Sequence, residues 1–207
     1  MLGYKIATHT TQYGNDIDGS YYMKGVKVLV VLDIPDDVKR TTPEMRYSKV
    51  PSGLTATELE EWAHDACRYK EYADSNKLFR DFKAFAQNLA MHVHTGDIPY
   101  FNSYIHIKKC RAAKAKVVKI IDLVNDTSYD CAVSDYDSNT IYQTGEIVTP
   151  DTYTDDYLNI CAHGIHCFES PEDAILYFVK DLPPSDASLF LDRAEELLEK
   201  LRKRGDI

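Results

Sequence analysis

The 207-residue sequence has no apolar run near the roughly 18 residues that a membrane-spanning helix needs. Its first residues, Met1-Leu-Gly-Tyr-Lys-Ile6, lack the charged and then apolar pattern of a secretory leader. A cytoplasmic protein with no membrane contact is expected. The five cysteines (Cys67, Cys110, Cys131, Cys161, Cys167) are odd in number and irregularly spaced, a poor disulfide framework that fits reduced thiols. There is no glycine-rich phosphate loop, no dinucleotide fingerprint and no Gly-x-Ser-x-Gly elbow, so the common signatures of nucleotide enzymes and serine hydrolases are missing. Positive charge is also scarce. Lys and Arg number 24 against 33 Asp and Glu, and the net charge of −9 disfavours a broad electrostatic grip on nucleic acid.

What is present is an ordinary globular balance, 44% hydrophobic and 28% charged, in a chain of single-domain length. One Trp stands against 15 Tyr. Several tyrosines (Tyr129, Tyr136, Tyr142, Tyr153, Tyr157) lie near acidic residues, and such a cluster either edges strands or lines a polar pocket.

Local patterns predict an α+β fold, a mostly antiparallel or mixed sheet with an inserted α-hairpin and a C-terminal helix. Val26-Lys-Val-Leu-Val-Val-Leu-Asp-Ile34 reads as a buried strand stopped by Pro35. Thr55-Ala-Thr-Glu58 is a capping box opening a helix over 56–73, and Leu78, Phe82, Phe85, Ala86, Leu89 and Val93 predict a second. Strand-like segments follow at 104–107, 116–124, 128–133 and 141–148. Ser170-Pro-Glu-Asp173 caps a short helix, and a last amphipathic helix over 185–204 ends in Lys200, Arg202, Lys203 and Arg204, which suit the negative end of its dipole. The domain expected is a single one over 1–207, with 41–103 a helical insertion.

Two stretches carry chemistry. Lys108-Lys-Cys-Arg-Ala-Ala-Lys-Ala-Lys116 packs five cations into nine residues; it neutralises the chain's own carboxylates, protects a sheet edge, or binds phosphate through Lys109, Arg111 and Lys114. Cys161-Ala-His-Gly-Ile-His-Cys-Phe168 gathers four soft or imidazole ligands in seven residues, yet strand alternation splays them, so no metal and no cofactor are expected. The segment reads instead as a turn at His163-Gly164 entering a strand that presents His166 beside the N-terminus of the capped helix, where an acid, a base or a phosphate donor would be useful. His92 and His94 near a helix end are weaker candidates.

Leu32-Asp-Ile-Pro35 with Val38-Lys-Arg40, Lys109-Cys-Arg-Ala-x-Lys-Ala-Lys-Val117, Gly145-Glu-Ile-Val-x-Pro-Asp151, and Cys161-x-x-Gly-Ile-His-x-Phe168 with Glu172-x-Ala-x-x-Tyr177 resemble an uncharacterised domain. That domain occurs in proteins of large DNA viruses and phages, often beside pentapeptide repeats. The resemblance covers about half of the chain, identifies 41–103 as an insertion, and implies a viral or phage accessory protein of the host cytoplasm with no known reaction. The expectation is counter-defence by binding a host protein or sequestering a small anionic nucleotide, with Lys109, Arg111, Lys114 and Gly164 at the ligand. The alternative is a metal-independent enzyme on a nucleotide or RNA phosphodiester, with His166 and His163 as acid and base and Tyr142 or Tyr177 orienting substrate. Tyr142-x-x-Gly145 with Gly164-Ile-His-Cys-Phe168 and Ala174-x-x-Tyr177 is also distantly similar to ADP-ribosyltransferase-type folds.

Overall fold

The computed structural model describes residues 1–15, 21–41, 55–68, 87, 109–155, 162–179 and 182–207. The chain divides into two compact units, Met1–Pro43 with Lys109–Ala174 and Glu44–Lys108 with Ile175–Ile207.

The first unit is a curled antiparallel sheet. Its spine is a long hairpin of β1 (Leu2–Asn15) and β2 (Tyr21–Asp33), paired from Leu2↔Asp33 to Asn15↔Tyr21 with one bulge between Thr10 and Gln12. The short strands are β3 (Arg40–Thr41), β4 (Lys109–Ala112), β5 (Ala115–Asp122), β6 (Cys131–Val133), β7 (Ile141–Gln143), β8 (Ile147–Val148) and β9 (Ile165–Phe168). They line up as β3-β4-β9-β1-β2-β5-β8, and β6 pairs with both β1 and β7.

The apolar run of β2 explains its central place. Val28, Val30 and Leu32 point into a core with Ala7, Cys110, Ala112, Val117, Ile120, Tyr142, Ile165 and Cys167. Leu29 and Val31, directed to the other face, are equally buried. Each such side chain contributes roughly 1.5–3 kcal/mol through burial. The predicted strand over 141–148 is divided, because Gly145, at φ 88, turns the chain between β7 and β8.

The second unit holds α1 (Ala56–Arg68) and α3 (Pro184–Arg204), while α2 (Pro171–Val179) begins in the first unit and ends in the second. The capping box forms as its spacing predicts: Thr55 N donates to Glu58 Oε2 at 2.9 Å and Glu58 N to Thr55 Oγ1 at 3.3 Å. Trp62 Nε1 donates to the Leu182 carbonyl at 2.9 Å, and Leu191, Ala194, Leu198 and Leu201 of α3 are buried. Gly205 closes α3 in the left-handed conformation that favours glycine. Ser170 Oγ accepts from Asp173 N at 3.1 Å, the predicted cap of α2. The predicted second helix over 78–95, the strand at 104–107, and His92, His94 and Cys161 lie outside the described residues.

Candidate functional site

Strand β1 changes partner along one edge. Tyr4 pairs with Phe168 of β9, whereas Thr8 pairs with Val133 of β6. Between those contacts residues 5–7 have no ladder partner on that side among the described residues. Alternation turns Gly3, Lys5 and Ala7 toward the inner face, so Lys5 enters the core at the place where β9 and β6 part.

Lys5 is 6% exposed. Its Nζ lies 5.3 Å from the ring centroid of Tyr136 and 6.0 Å from that of Tyr142. Among the described residues it makes no hydrogen bond and no ion pair. The carboxylate that senses it, Asp135, is already engaged: Oδ1 accepts from Thr8 Oγ1 at 2.6 Å and Oδ2 from Lys27 Nζ at 2.7 Å. Burial lowers the Lys5 pKa, opposed by Asp135 and Cys167. Tyr142 is buried and its phenol pKa is pushed up by burial, against a hydrogen bond with Ser134, so it stays protonated. Tyr136 keeps 73% of its surface exposed.

The opposite face of β9 carries the residues that the sequence singled out. Arg111 stands opposite His166 and Lys109 opposite Phe168 in the β4–β9 ladder. Lys109 and Arg111 are both buried, Arg111 completely. His166 Nε2 donates to the Ala162 carbonyl at 2.8 Å; a carbonyl only accepts, so this bond fixes the tautomer and leaves Nδ1 unprotonated. That Nδ1 is buried and without a hydrogen-bond partner among the described residues. Burial first, and then the Lys109 charge, lower the His166 pKa to about 4, so the ring is neutral near pH 7.

Gly164 makes the corner that presents His166. At φ 151 it occupies backbone space that side chains avoid, and a Cβ there would meet Arg111 Cβ at 3.2 Å. The structure thus gathers Lys109, Arg111, Gly164 and His166 about one strand pair and places Tyr142 on the other face with Lys5. His163 is exposed in the turn, where its carbonyl accepts from Thr154 N at 3.1 Å, and Lys114 is exposed between β4 and β5. Tyr177 sits on α2 in the second unit.

Lys5 is the residue that sequence reasoning missed. Its signal was a lysine within Gly3-Tyr-Lys-Ile-Ala7, where both flanking side chains, Tyr4 and Ile6, are buried. No group of three or more potential metal ligands occurs among the described residues, and no helix among them is long and apolar enough to cross a membrane.

Residues 82–174 match a family of unknown function, DUF5758. An uncharacterised domain therefore covers β4 to β9 and the first turn of α2, including Arg111, Tyr142, Gly164 and His166. The match begins inside the segment read as an insertion and leaves out the β1–β2 hairpin with Lys5. No curated protein and no solved structure matches the chain significantly.

Proposed function

We propose that the protein acts by binding a small anionic ligand of the nucleotide type at Lys5, as a viral or phage accessory protein that sequesters such a molecule in counter-defence. The observation that carries this reading is Lys5, a side chain only 6% exposed whose ammonium has no hydrogen bond or ion pair among the described residues. Burying a charge costs several kcal/mol unless it is paired. Two tyrosine rings near the roughly 6 Å limit of a cation–π contact offset only part of that cost. Lys27 and Thr8 occupy both oxygens of Asp135, so an incoming anion would complete the site. The exposed Tyr136 ring suits a planar base, and stacking tolerates any base because each has a π-face.

The phosphodiesterase alternative has less support. A general acid needs a proton to give near neutral pH, and His166, with a pKa of about 4, holds only the Nε2 proton committed to Ala162. His163 is exposed in the turn.

Isothermal titration of the purified full chain with inorganic phosphate, nucleoside monophosphates, cyclic nucleotides and nicotinamide nucleotides tests the proposal, with mass spectrometry of the recovered ligand. Expected is saturable binding of at least one anion, its recovery unchanged, and a roughly tenfold or greater loss of affinity in Lys5→Met, the size of one charge-assisted hydrogen bond. Failure of every anion to bind, or equal binding by Lys5→Met, overturns it. Recovery of a cleaved ligand would favour the enzymatic alternative instead.

A further inference from the structure

Cys110 and Cys167 are directly opposed in the β4–β9 ladder. Both side chains lie in the core of the first unit, on the face away from Arg111 and His166. Both thiols are free and fully buried. Facing residues of an antiparallel pair have Cα atoms about 4.5 or 5.5 Å apart, depending on the type of pair. Disulfides accept Cα separations of about 4.4–6.8 Å. Either pair type therefore falls within the Cα range that a disulfide accepts. The Cys167 sulfur is also packed in place: a Cβ added at Gly3 would lie 3.0 Å from it.

We infer that Cys110 and Cys167 form an oxidisable dithiol, a modification site at which a peroxide-class oxidant closes a disulfide across β4 and β9. One sulfur, after losing its proton, attacks a peroxide oxygen; the O–O bond breaks, a sulfenic acid forms, and the hydroxide released takes up the proton as water. The second thiol then attacks the sulfenic sulfur, forming the S–S bond, and its proton leaves with the sulfenic hydroxyl as a second water. Two thiols and one hydrogen peroxide give one disulfide and two waters; sulfur loses two electrons and oxygen gains them.

Interaction with the Cys110 thiol, and burial after it, raise the Cys167 pKa, so the reaction is slow and follows local opening of the strand pair. Lys5 acts in the other direction on Cys167 and favours its thiolate. Closure ties position 110 to position 167, both inside the family-matched segment, and shrinks the unfolded ensemble. This inference stands on the ladder register and does not depend on any ligand at Lys5.

The test uses the full chain, incubated with hydrogen peroxide under native conditions, alkylated, digested without reductant and mapped by mass spectrometry. Expected is a peptide pair joined through Cys110 and Cys167, two hydrogens lighter than the reduced pair and released by dithiothreitol. A rise in melting temperature should accompany it, reversed by reductant and absent from Cys167→Ser. Recovery of Cys110 and Cys167 as free thiols or sulfinic acids, while the exposed Cys131 is oxidised, overturns the inference. So does linkage of either residue to a different cysteine, or closure only in denaturant. If Cys167→Ser does not fold, the peptide map of the unsubstituted chain decides alone.

Discussion

Arg111 and His166 face each other across the β4–β9 ladder, and the guanidinium is one of three cationic neighbours, with Lys109 and Lys5, that disfavour protonation of the imidazole. Burial is the larger influence, and together they hold the folded-state pKa at about 4 against an ordinary value of 6.5. Between those values the unfolded chain binds more protons at this position than the folded one, so its contribution to stability falls as pH drops from 6.5 toward 4. His166→Gln keeps an N–H donor for the Ala162 carbonyl and does not titrate. Urea unfolding at several pH values across this window should show the parent chain losing more stability than the variant, and equal slopes would contradict the assigned pKa.

Gly25 presents a different constraint. A Cβ there would lie 2.1 Å from the backbone oxygen of His9 and 2.8 Å from Thr8 Cγ2, beside the bulge of the β1–β2 hairpin. Backbone cannot move aside as the end of a flexible side chain can. Gly25→Ala should destabilise the first unit by about 3 kcal/mol or more, above the usual cost of overpacking because the obstacle is main chain. Chemical denaturation measures it, and a loss within the scatter of surface substitutions would show that the two strands are not so closely opposed.

Asp122, buried at the end of β5, organises the turn that leads toward β6 and so toward Ser134 and Tyr136. Its Oδ1 accepts from Val124 N at 2.7 Å and Asn125 N at 3.1 Å, and its Oδ2 from Asn125 Nδ2 at 3.3 Å. Asp122→Ala leaves two backbone donors without their acceptor and should cost roughly 2–3 kcal/mol, while Asp122→Asn, which retains an acceptor oxygen, should recover part of the loss. Equal destabilisation by both substitutions would assign the effect to charge.

Features with a short-range cause were legible in the sequence. The capping box at Thr55 and Glu58 depends on residues three apart, the Ser170 cap likewise, and the turn at Gly164 into Ile165–Phe168 on one glycine and a run of four. The β-branched run of β2 announced a doubly buried strand. The role of β1 was hidden, because Thr8, Thr10, Thr11 and Gln12 dilute its apolar content and its significance lies in which strands it pairs with. Register between positions 4 and 168, or 8 and 133, is set by the whole sheet and leaves no local trace. The candidate site was half visible for the same reason. The Arg111 and His166 blocks stood out by composition, whereas the meeting of Lys5 with Tyr136 and Tyr142 follows from the point at which β1 exchanges β9 for β6.

Lys5 gives the last prediction, and it separates binding from folding. A largely desolvated ammonium without an ion pair among the described residues lowers stability, and its depressed pKa states the same fact: from pH 10.5 downward the unfolded chain takes up a proton more readily than the folded one. Stability at this position therefore falls as pH drops from 10.5 through the folded pKa and stays low below it. Lys5→Met retains a long unbranched chain and removes the charge, so it should raise stability near neutral pH by roughly 1–3 kcal/mol, in the range seen when buried ionic groups give way to apolar ones. The variant should also lose the gain in stability that the parent chain shows as pH rises toward 10.5. Gain of stability with loss of anion binding is the pattern of a residue kept for function at the expense of the fold. A stability loss on Lys5→Met, measured by thermal and urea unfolding at pH 7 and pH 10, would instead mean that the ammonium has a partner that holds the sheet together.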